Sequence, residues 1–157
     1  MGLDMYLNAK RYMFGFREED NEQAKAVEIM FPELANIKSQ WGEDKSVVKA
    51  VEVEVGYWRK ANAIHKWFVD NVQEGKDDCG NYYVSREQLQ ELKHLCNTIL
   101  ENPDDLGPKL LPTASGFFFG ATEYGDYYKD DLAQTVRIIE DCLNLPESWD
   151  IEYHSSW

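Results

Sequence analysis

Residues 51–72, VEVEVGYWRKANAIHKWFVDNV, decide the fold because they join a strand directly to a helix. The valines at the start alternate with glutamates, which is the period of a strand with one buried and one exposed face. From Trp58 onward, apolar residues recur at spacings of three and four, as on the buried side of a helix. The members of this stripe are Trp58, Ala61, Ile64, Phe68 and Val72. We therefore predict a strand that leads at once into a helix ending near Gly75.

Three further segments alternate like strands: residues 3–7, which continue towards Phe14, residues 82–84 and residues 149–153. A helix is predicted after the pair Asp20 and Gln23, where Pro32 marks either a kink or the first turn of a second helix. Ala24, Val27, Phe31, Leu34, Ile37 and Trp41 form its apolar pattern.

Another helix is predicted after Ser85 and Gln88, which have the spacing of a capping box. A last helix starts near Asp126 and stops before Pro146. Residues 103–116 contain three prolines and two glycines and predict a long loop, and residues 116–120 predict a short buried strand. The sequence thus predicts a single α+β domain over residues 1–157, with a small, mostly antiparallel sheet packed against three to four helices.

The chain is acidic, with 29 Asp and Glu against 16 Lys and Arg and a net charge of -13. This charge argues against binding a long nucleic acid, since a polyanion would be repelled. No apolar run is long enough to span a membrane, and residues 1–14 lack the features of a signal peptide. The three scattered cysteines fit reduced thiols, so we expect a cytoplasmic protein with no membrane partner.

The segment 55–69 carries cations and aromatic rings but no acid, so it is the first candidate for an anion site. If the helix begins at Trp58, then Arg59, Asn62 and Lys66 fall on one flank beside the apolar stripe. A phosphate there would also meet the N–H groups of the helix N-terminus. The alternative is a solvated cationic face that keeps the helix soluble.

Two other acid-free segments, 5–17 and 106–122, supply further candidates. Lys10 and Arg11 add positive charge, and the backbone at Ser115 and Gly116 could approach a phosphate, although a bulge in a buried strand is the structural alternative. Tyr124 and Tyr127, beside Glu123, could form a ligand wall or an ordinary surface. The terminal Trp157 is expected to pack on the domain or on a second subunit, in keeping with a predicted homo-oligomer.

His65, at the edge of the stripe, is either a half-buried structural histidine or a ligand contact and proton donor. The chain has no HxH, HExxH or paired-cysteine spacing, so neither a metal site nor a cofactor is predicted.

Several motifs together resemble a family of small bacteriophage and prophage proteins. They are GLDMYL, VGYWRKANAIHKWFV, YYVSREQL, SGFFFG followed by TEY, and the closing SSW. The resemblance spans nearly the whole chain and carries no established catalytic residues. It implies a phage origin, and proteins of this kind often counter bacterial defence, for instance by sequestering a nucleotide second messenger.

Three functions therefore remain open. The first is capture of a small anionic nucleotide-like molecule by Trp58, Arg59, Asn62, His65, Lys66, Lys10, Arg11, Ser115, Gly116, Tyr124 and Tyr127. The second is an enzyme acting on a nucleotide or phosphodiester, with His65 or His154 as acid or base and Glu123 as partner. The third is an acidic inhibitor that binds a basic host protein.

Overall fold

The computed structural model describes residues 2–116 and 119–157 and contains one antiparallel four-stranded sheet. The strands are β1 (Asp4–Tyr12), β2 (Ala50–Arg59), β3 (Tyr82–Val84) and β4 (Asp150–Ser156). Their spatial order is β2-β1-β4-β3, and Tyr82 lies opposite Tyr153 in the β3–β4 pair. The predicted α+β class with an antiparallel sheet is confirmed.

The described residues also form five α-helices and one 3-10 helix. The α-helices are α1 (Glu18–Ile29), α2 (Asn62–Asn71), α3 (Arg86–Glu101), α4 (Pro103–Leu110) and α5 (Asp126–Asn144). The 3-10 helix spans Pro32–Asn36, so Pro32 opens a second short helix instead of kinking the first. The capping box is confirmed, because Gln88 N donates to Ser85 Oγ and Ser85 N donates to Gln88 Oε1.

Two predictions about helix starts are wrong. β2 continues to Arg59, so Trp58 belongs to the strand and α2 begins only at Asn62. The pair Asp20 and Gln23 does not cap α1, whose N-cap is Arg17. Asp20 instead lies buried within the first turn and accepts hydrogen bonds from Arg11 Nη2 and Phe14 N.

The long loop predicted over 103–116 is also wrong, because α4 occupies its first half. Pro103 lies in the first turn of α4, where a backbone N–H would have no intrahelical partner, so its missing N–H costs nothing. The negative charges of Asp104 and Asp105 interact favourably with the positive end of the helix dipole. Gly107 lets two tyrosines approach, since a Cβ there would lie 2.9 Å from Tyr124 and 3.1 Å from Tyr128. The predicted strand at 116–120 includes residues 117 and 118, which lie outside the described residues.

Residue contacts divide the chain into two compact units: residues 1–9 with 54–157, and residues 10–53. The single domain inferred from the sequence stays a prediction. In the described residues, no helix combines the length and the apolar character needed to cross a membrane.

The larger unit contains the apolar core. Leu3, Met5 and Leu7 are fully buried, as the alternation in β1 predicts. The ring of Phe68 from α2 stacks on Tyr153 from β4 with centroids 3.9 Å apart. The core is completed by residues of α3 and α5, namely Leu89, Leu92, Cys96, Ile99, Leu132 and Ile139.

The smaller unit is held largely by polar contacts. Asp20 joins α1 to the end of β1, and Glu28 Oε2 accepts hydrogen bonds from Ser46 Oγ and Val47 N. The residues predicted to form the apolar face of this region are mostly exposed: Phe31, Ile37 and Trp41 are 45%, 54% and 77% accessible. Of that face, Ala24 is buried as expected.

Candidate functional site

The candidate site is built around the turn between β2 and α2. Lys60 has a φ of 62°, a left-handed conformation that is uncommon for a residue with a side chain. The turn is fixed on both sides, because Lys60 N donates to Leu3 O at 2.8 Å and Asn62 N donates to Lys60 O at 2.8 Å. This turn places the side chains of Arg59 and Lys60 at the surface, next to the N-terminus of α2.

The predicted arrangement of Arg59, Asn62 and Lys66 on one helical flank is therefore wrong, because Arg59 ends a strand. Asn62 is buried and opens α2. Lys66 lies one turn further along α2, and its ammonium pairs with Asp70.

Asn62 holds the backbone of Ala114, Phe119 and Ala121 against the start of α2. Its Nδ2 donates to Phe119 O at 2.9 Å and to Ala121 O at 2.8 Å, and its Oδ1 accepts from Ala114 N at 2.9 Å. Both amide hydrogens of Asn62 are therefore used inside the protein. This residue positions the wall of the site and does not have a spare donor to read a base or a ribose.

Gly120 lies opposite the strained turn. It has a φ of 87°, and a Cβ built at this position would lie 3.0 Å from Lys60 Cβ. The left-handed backbone and the close approach both favour glycine here. Two left-handed residues thus face each other and form one edge of a cavity.

The cavity has a volume of about 470 Å³, which falls in the usual range of small-molecule sites. Below it is called the Arg59 cavity. It is lined by the β2–α2 turn, by the segment after α4 and by the first turns of α5. The lining residues are Arg59, Lys60, Asn62, Ala63, Thr113, Gly120, Ala121, Glu123, Tyr127, Tyr128 and Asp131.

The side chains of Arg59 and Lys60 form no hydrogen bond or ion pair with any residue that the structure describes. Most other basic side chains of the chain are paired, such as Lys66 with Asp70, Lys93 with Glu140 and Lys109 with Asp105. Arg59 and Lys60 also do not pair with Glu123 or Asp131, although all four line one cavity. The cavity therefore offers two cationic side chains whose donors are not engaged by any described residue.

The opposite wall comes from α5. The Tyr127 ring is 83% exposed. Tyr128 is buried, and its hydroxyl donates to Leu111 O at 2.9 Å. Burial, together with a smaller contribution from the neighbouring Asp130 charge, raises the pKa of Asp131 to about 7. Near neutral pH this carboxyl is therefore protonated for a large fraction of the time, which reduces its repulsion of an anion.

Of the eleven residues predicted from the sequence, three line the Arg59 cavity: Arg59, Asn62 and Tyr127. Trp58 lies in the core instead, fully buried, with its Nε1 donating to Thr135 Oγ1 at 2.9 Å. Tyr124 is not a lining residue. Its ring packs edge-on against Tyr128, and its hydroxyl oxygen accepts a long hydrogen bond from Thr113 N.

His65 is fully buried and forms a separate polar cluster. Its Nδ1 lies 2.8 Å from Tyr153 Oη, and its Nε2 lies 3.1 Å from Asp77 Oδ2. Trp157 Nε1 donates to the other Asp77 oxygen, so the last residue packs on its own chain. The edge of Phe119 contacts the His65 ring. Both ring nitrogens are occupied, which favours the structural interpretation of His65.

The remaining predicted residues lie elsewhere. Ser115 and Gly116 are exposed and are not among the residues that line the cavity. Lys10 and Arg11 belong to the unit of residues 10–53, where they pair with Glu52 and Asp20. Among the described residues, no group of three or more His, Cys, Asp and Glu side chains is arranged to hold a metal ion.

Sequence reasoning missed Lys60 and Asp131 as site residues. Lys60 follows the strand directly, but its left-handed backbone leaves no pattern in the sequence. Asp131 had a usable signal, because Tyr127 and Asp131 are four apart on a helix whose start was correctly predicted, and such residues share a face.

The comparisons with known proteins do not add a family. No family model matches the chain, and no curated protein or solved structure is significantly similar to it.

Proposed function

We propose that the Arg59 cavity binds a small anionic, ring-bearing molecule of the nucleotide type. The observation that carries this proposal is the pair Arg59 and Lys60, two cations without an ionic partner among the described residues, at the edge of a cavity of about 470 Å³. An Arg fork and a Lys ammonium together suit a phosphate group.

Other features around the cavity support a phosphate bound next to Arg59 and Lys60. Helix α2 begins two residues after Lys60, and its first residues, Asn62 and Ala63, line the cavity. Its first turn has no acidic residue, and its N-cap Ala61 makes no side-chain hydrogen bond. A phosphate placed there would interact with Arg59, Lys60 and the positive end of the helix dipole. The exposed ring of Tyr127 can then stack on a base at the other side.

We propose that binding without turnover is the role of this site, and that the ligand is a nucleotide signal sequestered in the bacterial cytoplasm by a phage protein. The resemblance of the sequence motifs to phage proteins supports the biological setting. The enzyme alternative has less support, since His65 is tied to Tyr153 and Asp77, and no described hydrogen bond joins it to Glu123.

A thermal-shift screen of the purified protein tests this proposal. The ligands are cyclic dinucleotides, cyclic ADP-ribose-type molecules, NAD and ADP-ribose, each recovered afterwards by chromatography. A ligand at 100 times its Kd stabilises the folded state by about 2.7 kcal/mol, so a true ligand gives a clear shift. We expect the ligand to be recovered intact.

Arg59→Gln and Lys60→Gln are expected to abolish the shift. Lys66→Gln is the matched control, because Lys66 is a cation of the same region that does not line the cavity. A shift that survives both cavity substitutions, or no shift with any ligand, would refute the proposed site. A converted ligand would show an enzyme instead.

A further inference from the structure

The unit of residues 10–53 exposes an unusual amount of apolar surface. Its large apolar side chains that are at least 40% accessible are Tyr12, Phe14, Phe16, Ile29, Met30, Phe31, Ile37, Trp41 and Val53. Phe16 and Trp41 reach 80% and 77%. Contiguous exposed apolar surface on a folded protein is typical of an interaction site.

Part of this surface forms a groove of about 430 Å³, called the Trp41 groove below. Its walls are aromatic and aliphatic, contributed by Met13, Phe14, Phe16 and Trp41, and its charged lining residues are Lys45 and Lys49. No acidic residue is among the lining residues. In a chain of net charge -13 this is a local reversal of charge.

The aromatic wall is already ordered by contacts within the unit. The rings of Phe14 and Phe16 lie 5.6 Å apart, and the Arg17 guanidinium lies 5.0 Å and 5.7 Å from their centroids. Rings that already pack against each other lose less conformational entropy on binding than free side chains do. Lys45 pairs with Asp44, and Lys49 Nζ donates to Ser46 O, which leaves each ammonium with further donors.

We propose that the Trp41 groove docks a short peptide segment of a partner protein that carries acidic residues beside apolar ones. Apolar side chains of the peptide fill the aromatic groove, and its carboxylates meet Lys45, Lys49 and Arg17. This charge complementarity selects the occupant. In a symmetric contact with a second copy, the same cations would face each other. A nucleic acid would bring a long run of negative charge to a strongly negative protein.

Selection from a random peptide display library tests the proposal with the whole chain. Peptides enriched on the wild-type protein are sequenced, synthesised with a fluorophore and measured by fluorescence polarisation. We expect the enriched peptides to combine Asp or Glu with Leu, Ile, Phe or Trp, and their affinity to fall as salt is added.

The variants locate the binding surface. Trp41→Ala and Phe16→Ala remove exposed rings, so the fold is retained, and each is expected to weaken binding about tenfold or more. The double variant Lys45→Glu with Lys49→Glu is expected to weaken it similarly. Tyr83→Ala and Lys76→Glu, an exposed aromatic and a lysine of the other unit, are expected to leave it unchanged.

Several results would overturn the proposal. One is the absence of enriched peptides, and another is enrichment of basic ones. A third is binding that Trp41→Ala and Phe16→Ala leave intact. Self-association of the protein, or binding of a single-stranded oligonucleotide, would also overturn it if Trp41→Ala removed that interaction, because the groove would then serve a different partner.

Discussion

Replacing Asp131 by Asn should make the stability of this protein less sensitive to pH. Burial and, to a smaller extent, the charge of Asp130 together raise the pKa of Asp131 to about 7. In the unfolded chain an aspartate ionises near pH 3.9. Between about pH 4 and 7 the folded protein therefore holds a proton that the unfolded chain has released, and its stability falls as the pH rises through this window.

The size of the effect follows from the pKa difference of about three between the two states. One pKa unit corresponds to about 1.36 kcal/mol, so complete burial would give about 4 kcal/mol above pH 7. Asp131 is only partly buried, and solvent screens part of this cost. We expect about 2 kcal/mol. Asn keeps the shape of the side chain and cannot ionise, so the variant avoids this penalty.

Urea denaturation of both proteins at pH 5, 6, 7 and 8 measures the difference. The Asp131→Asn variant should exceed the free energy of unfolding of the wild type by about 1 kcal/mol at pH 5, one unit above the unfolded pKa, and by about 2 kcal/mol at pH 8. Asp141→Asn, an exposed position on the same helix, controls for the general loss of one negative charge. A difference that does not grow from pH 5 to 8, or that grows equally in the control, would refute the reasoning.

Three further substitutions test the framework of the site by urea denaturation. Asn62→Ala removes three hydrogen bonds from a buried side chain and should lower the free energy of unfolding by about 2 kcal/mol. An unchanged urea midpoint would contradict the role of these three bonds in holding the wall of the site. Ser85→Ala removes the capping box of α3 and should cost about 1 kcal/mol. Gly56→Ala would place a Cβ 2.3 Å from Ile138 Cγ2 and should cost about 2 kcal/mol; this cost should shrink in an Ile138→Ala background, where that methyl is absent.

The elements that were predictable from the sequence are those whose signals lie within a few residues. Strand β1 shows its alternation directly, and α3 shows both its capping box and its apolar face. In both elements the buried side carries apolar residues, and in α3 the capping residues are close neighbours in the sequence. Such features need no knowledge of what packs against them.

The failures arose where tertiary contacts override local patterns. Helix α4 has two prolines and a glycine in eight residues, and Gly107 is tolerated because it makes room for Tyr124 and Tyr128 from elsewhere in the chain. The start of α2 was misplaced because Trp58 fits a helical stripe equally well, while its actual place in β2 depends on Thr135, 77 residues away. The local sequence contains neither contact.

In the candidate site too, features set by the local sequence were predictable, and features set by tertiary contacts were not. Arg59 could be predicted as a site residue because a cation stands out in an acidic chain, whereas Lys60 was not among the predicted residues. The absence of ion-pair partners for the two side chains could not be predicted, since pairing depends on whether a carboxylate lies within reach in the fold. The role of Asn62 was misjudged for the same reason, as its three backbone partners lie more than 50 residues away.

The conformation of Lys60 bears on what the site is for. A left-handed backbone at a residue with a side chain costs of order 1 kcal/mol, and glycine would avoid this cost. In the structure as described, the Lys60 ammonium has no ionic partner that would offset it. The strained turn is held by its hydrogen bonds to Leu3 O and Asn62 N, and it directs two adjacent cations to one cavity. Under the proposed function, the lysine at this position serves to hold the anion rather than to stabilise the empty fold.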